Sequence, residues 1–448
     1  MFMRNFYRLT FLSLLVGLLV SSASAQLTLW TTEEQPERVA VQERIAANFE
    51  EATGISVTVV PVTEGAMGER ATAAFAAGDL PDVIYHPLNY TLGWAQAGLL
   101  DTFAATETVE VLGEETFAAA ALSLIDFEGD YAAVPVDGWT QLLLYRADLF
   151  EEHGLEPPTT FESILAAIAA LHNPPEMYGF VAATDVSQPY MLQVFEHFAL
   201  ANGVQMIGGE GNVTLDSPEM VETLEFYRQL VEASPPGNLY WQQSRELYQG
   251  GQAAMIVWSP FILDELAGLR DEGPVPADEG QEFGWLARNT GFVTRLSGPN
   301  NPGGAGWADV SYFGITVDAD AEAAQQFVEF SMSEGYIDTL AIAAEGKFPV
   351  RGGTAENPTE FVDAWQDLEV GVSARAPLSE FYSQEVIGDL IEGLETGDRW
   401  AFGQGQGVLY SQMADTRVLV ETLREFLDGE HSAEETAALM QQRVEALR

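Results

Sequence analysis

The chain has 448 residues, of which 47% are hydrophobic, so it can form ordinary globular cores but is too long for a single one. It contains no cysteine, which excludes disulfides, zinc–thiolate sites, iron–sulfur clusters and cysteine nucleophiles. The formal net charge is −49, and so acidic a surface repels phosphate backbones, which argues against nucleic acid as a partner.

Residues 1–25 have the features of a secretory signal peptide. Two arginines precede an apolar run over residues 9–20, and an A-x-A-like cleavage site ends at Ala25. The alternative, a membrane anchor, is disfavoured because the run is shorter than the ~20 residues of a spanning helix. No cysteine follows the cleavage site, so the signal is not that of a lipoprotein. We predict secretion into the periplasm.

Cleavage would make the chain still more acidic. It removes two arginines and no acids, which lowers the basic count from 19 to 17 and shifts the net charge from −49 to −51. One interpretation is a surface for cationic partners. The other, which we favour, is a solvated halophilic surface, because the Debye length falls to ~3 Å at 1 M salt and self-repulsion is then screened.

The first hundred residues predict a β-α-β-α-β order. Strand patterns lie at 27–30, 55–62 and 83–85, and two helical patterns separate them. This order predicts a parallel sheet with right-handed crossovers. Polar residues follow the strands at their carboxyl ends, where open α/β sheets bind ligands.

Three later segments are candidate crossovers between two lobes. They are residues 134–139, a buried-strand pattern that breaks at 259–260, and the glycine-rich segment 303–307 before another strand pattern. Residues 271–309 are rich in proline, glycine and asparagine, which predicts loops.

Helical patterns dominate much of the chain after residue 160. Amphipathic stretches predict helices over residues 161–171, 190–201 and 217–233 and over much of the C-terminal region. Capping boxes of the form S/T-x-x-E predict helix starts at Thr159 and Ser432.

Several segments in a fixed order resemble the extracellular solute-binding protein family 1, the maltose- and trehalose-binding type of ABC importer component. They are residues 27–30 (LTLW), 77–84 (AGDLPDVI), 95–100 (AQAGLL), 145–150 (YRADLF), 154–159 (GLEPPT) and 249–255 (QGGQAAM). Each match alone is weak, but the ordered set covers nearly all of the chain after residue 25.

The resemblance implies an α/β, periplasmic binding protein-like fold with two lobes, a central ligand cleft and a multi-segment hinge. We place residues 26–135 and 260–306 in the N-terminal lobe, and 136–259 and 307–448 in the C-terminal lobe. The implied function is to bind a sugar, from mono- to oligosaccharide, in the cleft and deliver it to the permease subunits of an ABC transporter. We expect a monomer without cofactors.

Two alternatives remain open. The first is a binding protein for a compatible solute such as trehalose or a glucosylated polyol, or for glycerol phosphate. A phosphate would favour a basic pocket, which the scarcity of lysine and arginine argues against. The second is a secreted carbohydrate-active enzyme. No H-E-x-x-H, G-x-S-x-G or P-loop motif occurs, whereas a pair of catalytic carboxylates cannot be read from sequence. We expect no enzymatic activity.

A sugar needs aromatic faces for its rings and paired polar groups for its hydroxyls, and the family positions of such groups give twelve candidates. The candidates are Glu34, Gln35, His86, Asn89, Tyr90, Asp137, Trp139, Gln188, Tyr190, Trp258, Trp307 and Arg351.

Several of these candidates could have a purely structural role instead. Trp258 and Trp307 are predicted stacking platforms, although an isolated tryptophan more often packs in a core. Asp137 precedes a glycine and could simply form a turn. His86 stands where the family often has an aromatic residue, and Arg351 could pair with surface carboxylates.

Overall fold

In the computed structural model, residues 26–270 and 284–448 are described. The predicted signal peptide and residues 271–283 of the predicted loop region lie outside these ranges. Within them, no helix is both long enough and apolar enough to cross a membrane.

Fifteen strands are present in the described part of the chain. They are β1 Gln26–Thr31, β2 Ser56–Pro61, β3 Val83–Pro87, β4 Asp126–Phe127, β5 Asp130–Tyr131, β6 Val134–Thr140, β7 Leu142–Arg146, β8 Met255–Trp258, β9 Thr290–Val293, β10 Arg295–Gly298, β11 Asn301–Ile315, β12 Phe348–Pro349, β13 Glu369–Val370, β14 Ala376–Pro377 and β15 Gly397–Asp398.

Nineteen α-helices pack around these strands in the described ranges. They are α1 Pro36–Thr53, α2 Glu64–Ala77, α3 Leu88–Gln96, α4 Thr102–Leu112, α5 Ala119–Ser123, α6 Ala147–His153, α7 Phe161–Leu171, α8 Pro189–Ala201, α9 Pro218–Glu232, α10 Trp241–Gln249, α11 Leu263–Leu266, α12 Trp285–Arg288, α13 Ala321–Ser331, α14 Tyr336–Leu340, α15 Glu360–Gln366, α16 Gln384–Glu395, α17 Gly407–Thr416, α18 Val418–Leu427 and α19 Ala433–Glu445.

The predicted β-α-β-α-β unit is confirmed. Strand β1 pairs in parallel with both β2 and β3, and α1 and α2 make the connections. Both helices end at a glycine in the left-handed region, Gly54 at φ 79° and Gly78 at φ 66°, where glycine has no Cβ penalty. These caps turn the chain back into the next strand.

The larger sheet has the order β12-β6-β11-β3-β1-β2, with β10 and β15 attached to β11. Strand β11 runs antiparallel to β3 and β6. Its residues 311–315 pair with β3, which differs from the predicted division that assigns every residue after 306 to the C-terminal lobe. The reason is that one long strand extends past the predicted crossover and completes the larger sheet.

The smaller sheet has the order β8-β7-β9 and is antiparallel. Only Gln141 separates β6 of the larger sheet from β7 of the smaller one, so the chain passes between the sheets at the first predicted crossover. Strand β8 ends at Trp258, immediately before the break at 259–260 that was the second predicted crossover. The division into lobes stays a prediction.

One of the two predicted capping boxes is displaced by one residue. Helix α19 begins with the predicted box, in which the Ser432 hydroxyl accepts from the Glu435 amide. Helix α7 instead uses Thr160 and Ser163: the Thr160 hydroxyl accepts from the Ser163 amide at 3.0 Å, and the Ser163 hydroxyl accepts from the Thr160 amide at 2.9 Å. The helix spans the predicted residues 161–171, and only its capping residue differs, Thr160 in place of Thr159.

Candidate functional site

A cavity of about 360 Å³, here called the cleft cavity, lies between the larger sheet and the segments that surround the smaller one. Its wall on the larger sheet comes from β3, β6, β11 and the loops after β1 and before β12. Its other wall comes from the start of α8, the start of α10 and the end of β8. The lining residues are Thr32, Glu33, Arg38, Tyr85, Pro87, Asp137, Trp139, Gln188, Pro189, Tyr190, Gln193, Trp241, Trp258, Ser259, Phe261, Asp309, Ser311 and Lys347.

A buried ionic cluster forms the wall on the larger sheet. The Lys347 ammonium lies 2.8 Å from Glu33 Oε1 and 3.4 Å from Asp137 Oδ2, and it also donates to the Tyr85 hydroxyl. That hydroxyl in turn donates to Asp137 Oδ2 at 2.6 Å. Strand pairing fixes this geometry, because β12 lies beside β6 with Pro349 opposite Asp137. The lysine therefore balances two carboxylates at the cavity surface.

Burial and the neighbouring charges move the pKa values of this cluster. Burial raises the pKa of Asp137, and the Lys347 charge only partly offsets this. Burial also acts to raise the pKa of Glu33, but Lys347 and Arg38 outweigh it and hold the pKa below its usual range. The two carboxylates raise the pKa of Lys347 well above its usual range despite its burial, so the lysine is charged.

Aromatic side chains form the opposite wall. The rings of Trp241 and Trp258 stack with centroids 4.9 Å apart and an angle of 19° between their planes. Tyr190 packs edge-on against Trp258, and its hydroxyl donates to the Val257 carbonyl. The Arg245 guanidinium lies 4.9 Å from the Trp241 ring centroid. These contacts hold a flat, half-buried aromatic surface toward the cavity.

Trp139 lies beside the ionic cluster and packs against a buried tryptophan on its other side. Its ring is 5.1 Å from that of Trp307, which is fully buried. The Arg399 guanidinium lies 4.4 Å from the Trp307 ring and donates to Asp309 at 3.0 Å. Asp309 lines the cavity, so this second ion pair connects the cavity wall to the protein interior.

The structure brings five of the twelve predicted site residues to the cleft cavity. They are Asp137, Trp139, Gln188, Tyr190 and Trp258. Gln188 and Tyr190 flank Pro189, the first residue of α8, as the sequence analysis placed them at a helix start. Their role as ligand contacts stays a prediction.

His86 lies away from the cavity, and its neighbour Tyr85 takes the place predicted for it. Successive side chains of a strand point to opposite faces, so the two residues of β3 cannot both face the cleft. His86 is fully buried, with its ring 4.9 Å from that of Trp94, and burial lowers its pKa to about 4. The structure thus places Tyr85, and not the predicted His86, at the cavity wall.

Arg351 and Trp307 also lie behind the cavity wall rather than at it. Arg351 donates to the carbonyls of Met332 and Leu112 and to the Thr116 hydroxyl, so its guanidinium joins buried chain segments. Trp307 is covered by Trp139, which comes from the neighbouring strand β6. These two predicted contacts are corrected to supporting positions.

The remaining four candidates lie outside the cavity as well. Glu34 and Gln35 are exposed at the start of α1, while Glu33 next to them points inward. The Asn89 carbonyl accepts from the Ser411 hydroxyl. Tyr90 stacks on Trp94 of the same helix with centroids 4.9 Å apart and packs against a small buried core cluster. The prediction at Glu34 is thus one residue away from Glu33, the glutamate that lines the cavity.

Several cavity residues were not predicted from the sequence, chiefly Glu33, Arg38, Tyr85, Trp241 and Lys347. One signal was available: Lys347 is the only lysine in the chain, and a single lysine in so acidic a sequence points to a specific role. Trp241 carried no comparable signal, because its distance of 17 residues from Trp258 becomes a stacking contact only through the fold.

The cavity is suited to binding a polyhydroxylated molecule. It offers apolar ring faces on one side and charged and amide hydrogen-bonding groups on the other. Among residues 26–270 and 284–448, no group of three or more histidines and carboxylates could hold a metal ion.

Known proteins share this architecture. A relative in Escherichia coli (strain K12), the putative ABC transporter periplasmic-binding protein YcjN, is 28% identical over 343 residues, which are 75% of this chain and 74% of that protein. The maltotriose-binding protein of Pyrococcus abyssi is 24% identical over 329 residues, 71% of this chain and 67% of its own.

A solved structure extends the similarity to nearly the whole chain. The GacH receptor of Streptomyces glaucescens superposes with a TM-score of 0.72 at 18% identity and covers 95% of this chain and 98% of its own. The family model of the bacterial extracellular solute-binding proteins matches residues 32–337. The chain therefore belongs to the bacterial extracellular solute-binding protein family.

Proposed function

We propose that this protein binds a neutral sugar of one or two rings in the cleft cavity and delivers it to the permease subunits of an ABC importer. The observation that carries the proposal is the pairing of an aromatic wall, Trp241 and Trp258, with an opposed ionic cluster around Lys347. Sugar rings stack on aromatic faces while their hydroxyls bond in pairs to charged groups.

The balance of charges favours a neutral ligand. Each cation at the cavity lies near a carboxylate: Lys347 near Glu33 and Asp137, and Arg38 near Glu33. A phosphate group would have to approach these carboxylates without a surplus of positive charge, which is unfavourable. Hydroxyl groups can share the hydrogen bonds of an ion pair without such a cost. This supports a sugar or a polyol over glycerol phosphate.

The volume of the cavity limits how many sugar rings it can hold. Its volume of about 360 Å³ is near the lower end of the ~300–1,000 Å³ range of small-molecule sites. One or two sugar rings suit that space better than an oligosaccharide, so we narrow the expected ligand accordingly. Ser259 also lines the cavity, and its buried hydroxyl has no hydrogen-bond partner within the described residues.

The relatives support the same class of ligand. The Pyrococcus relative is named for maltotriose, the GacH receptor is described in complex with acarbose, and an Agrobacterium radiobacter solute-binding protein in complex with ribitol. A periplasmic location, a cleaved signal peptide, a monomeric state and the absence of turnover complete the proposal.

Calorimetry against maltose, trehalose, tagatose and ribitol, with product analysis of each mixture, tests the proposal. We expect one of these probes to bind without conversion. Binding of none of them, or release of a product, would contradict it.

A tryptophan substitution tests the aromatic wall. Trp258→Ala should weaken binding of that probe by tenfold or more, because ring stacking of ~1–2 kcal/mol and the packed wall are lost together. The matched control is Trp285→Ala, since Trp285 is half-buried like Trp258 but lies outside the cavity. Equal affinities of the two variants would exclude Trp258 as a stacking platform.

A further inference from the structure

A chain of ion pairs with alternating charges extends from the cleft cavity to buried residues outside its wall. Arg38, on the first turn of α1, donates to Glu33 at 3.1 Å with one nitrogen and lies 3.6 Å from Glu345 with the other. Glu345 in turn accepts from Arg270 at 3.2 Å, and Arg270 donates to Asp264 at 2.6 Å. Glu33 continues this chain of ion pairs to Lys347 at the cavity.

These side chains come from parts of the chain that pack against one another across the cleft. Asp264 and Arg270 belong to the segment that follows β8 of the smaller sheet, and α11 is tied to α10 through the Arg245–Glu265 pair at 2.6 Å. Arg38 belongs to α1, and Glu345 to the loop that leads to β12 in the larger sheet. Glu345 is therefore where the two sides meet.

The backbone next to Glu345 packs closely against the Phe261 ring. A Cβ at Gly346 would lie 2.2 Å from the Phe261 ring, so only glycine fits there. The Arg38 guanidinium lies over the Phe261 ring, 5.5 Å from its centroid. Phe261 lines the cavity, whereas Glu345, 4% exposed, lies behind Arg38 and outside the cavity wall.

We infer that Glu345 is a positioning residue for the ligand site: it holds Arg38, and through Arg38 the cavity residues Glu33 and Phe261, in the geometry that binds ligand. The inference rests on the proposed function, since it concerns the same cavity. It predicts that removing the Glu345 charge weakens ligand binding although Glu345 does not touch the cavity.

The surroundings of Glu345 make its charge sensitive to pH near neutrality. Burial raises its pKa to about 7, Asp264 adds to the rise, and Arg38 and Arg270 oppose it. Protonation would remove the attraction for Arg38, so ligand affinity should fall as the pH falls through this range. The charged groups around Glu345 are Glu37, Arg38, Asp264, Glu265, Arg270 and Glu369.

The main test compares Glu345→Gln with the parent, with the sugar of the panel that the parent binds as probe. At about pH 8, E345Q should bind about tenfold more weakly through faster dissociation, because the buried ion pair between Glu345 and Arg38 is lost. Between about pH 8 and pH 6 the parent should lose affinity while E345Q does not. The double variant with Arg38→Gln should bind no more weakly than R38Q alone.

The control variant changes another arginine of helix α1. Arg44→Gln removes an exposed pair of α1 with Asp338 (3.4 Å) and should leave affinity and its pH profile unchanged. Parent-like affinity in E345Q, or independent effects of E345Q and R38Q, would overturn the inference.

A readout without ligand separates this inference from the proposed function. In the unliganded protein, amide hydrogen exchange over residues 260–266 should be faster in E345Q than in the parent and unchanged in R44Q. If no sugar of the panel binds, the proposed function fails, while this exchange still decides whether Glu345 holds the segment. Unchanged exchange in E345Q would show that it does not.

Discussion

At the scale of single residues, the cleft cavity is decided by which of two neighbours faces inward. Tyr85 rather than His86, and Glu33 rather than Glu34, contribute to the ionic cluster. In both pairs the sequence locates the right segment, but the direction of each side chain depends on the pairing and twist of the strand that carries it.

The lysine at the centre of the ionic cluster gives a prediction for stability. Lys347→Met should lower the free energy of unfolding by ~3–5 kcal/mol, because Asp137 would remain as a buried carboxylate without a cation and Glu33 would keep only Arg38. Adding Asp137→Asn should recover part of the loss, since the amide oxygen can still accept from Tyr85. Chemical denaturation measures both.

An exposed ion pair provides the comparison for this prediction. Arg44→Gln, whose partner Asp338 is 42% exposed in its side chain, should cost at most ~1 kcal/mol. If K347M were no less stable than R44Q, the cluster would not depend on the lysine.

At the scale of elements, the predicted strands and helices are largely present, and the differences have local causes. The β-α-β-α-β unit is confirmed with its parallel pairing. Strands β9 and β10 and the first part of β11 lie where loops were predicted, because glycine and proline there mark antiparallel turns and close approaches. Gly304, for example, has a φ of 67° beside the Leu296 carbonyl.

Helix α7 allows a test of the displaced capping box. Thr160→Ala should destabilise the protein by ~1 kcal/mol, because the hydroxyl that accepts from the Ser163 amide is lost. Thr159→Ala is the control and should change stability by less than ~0.5 kcal/mol, since the exposed Thr159 does not cap the helix. Thermal unfolding of the two variants distinguishes them. A larger loss for T159A would restore the box predicted from sequence.

At the scale of the whole molecule, charge governs the expected response to salt. The chain carries 68 acidic and 19 basic residues, and many of the arginines in the described part are already used in pairs with carboxylates. The excess of negative charge therefore remains on the surface, where salt screens it.

Stability should accordingly increase with ionic strength. Between about 0.05 M and 2 M NaCl the melting temperature should rise by ~5 °C or more, because screening removes repulsion among the surface carboxylates. KCl at the same ionic strength should have a similar effect, and sucrose at the same osmolality a smaller one. An unchanged melting temperature across this range would exclude a halophilic adaptation.

The order of the first strands and helices, and the family, could be predicted from the sequence alone, because both depend on local periodicity and on motifs in a fixed order. The sequence also indicated Asp137, Trp139, Gln188, Tyr190 and Trp258, which the structure brings to one cavity. Only the tertiary structure decided that Trp241 stacks on Trp258 and that Lys347 lies between Glu33 and Asp137. The reason is that these contacts join residues far apart in the chain, and their distances are set by sheet register and packing rather than by sequence spacing.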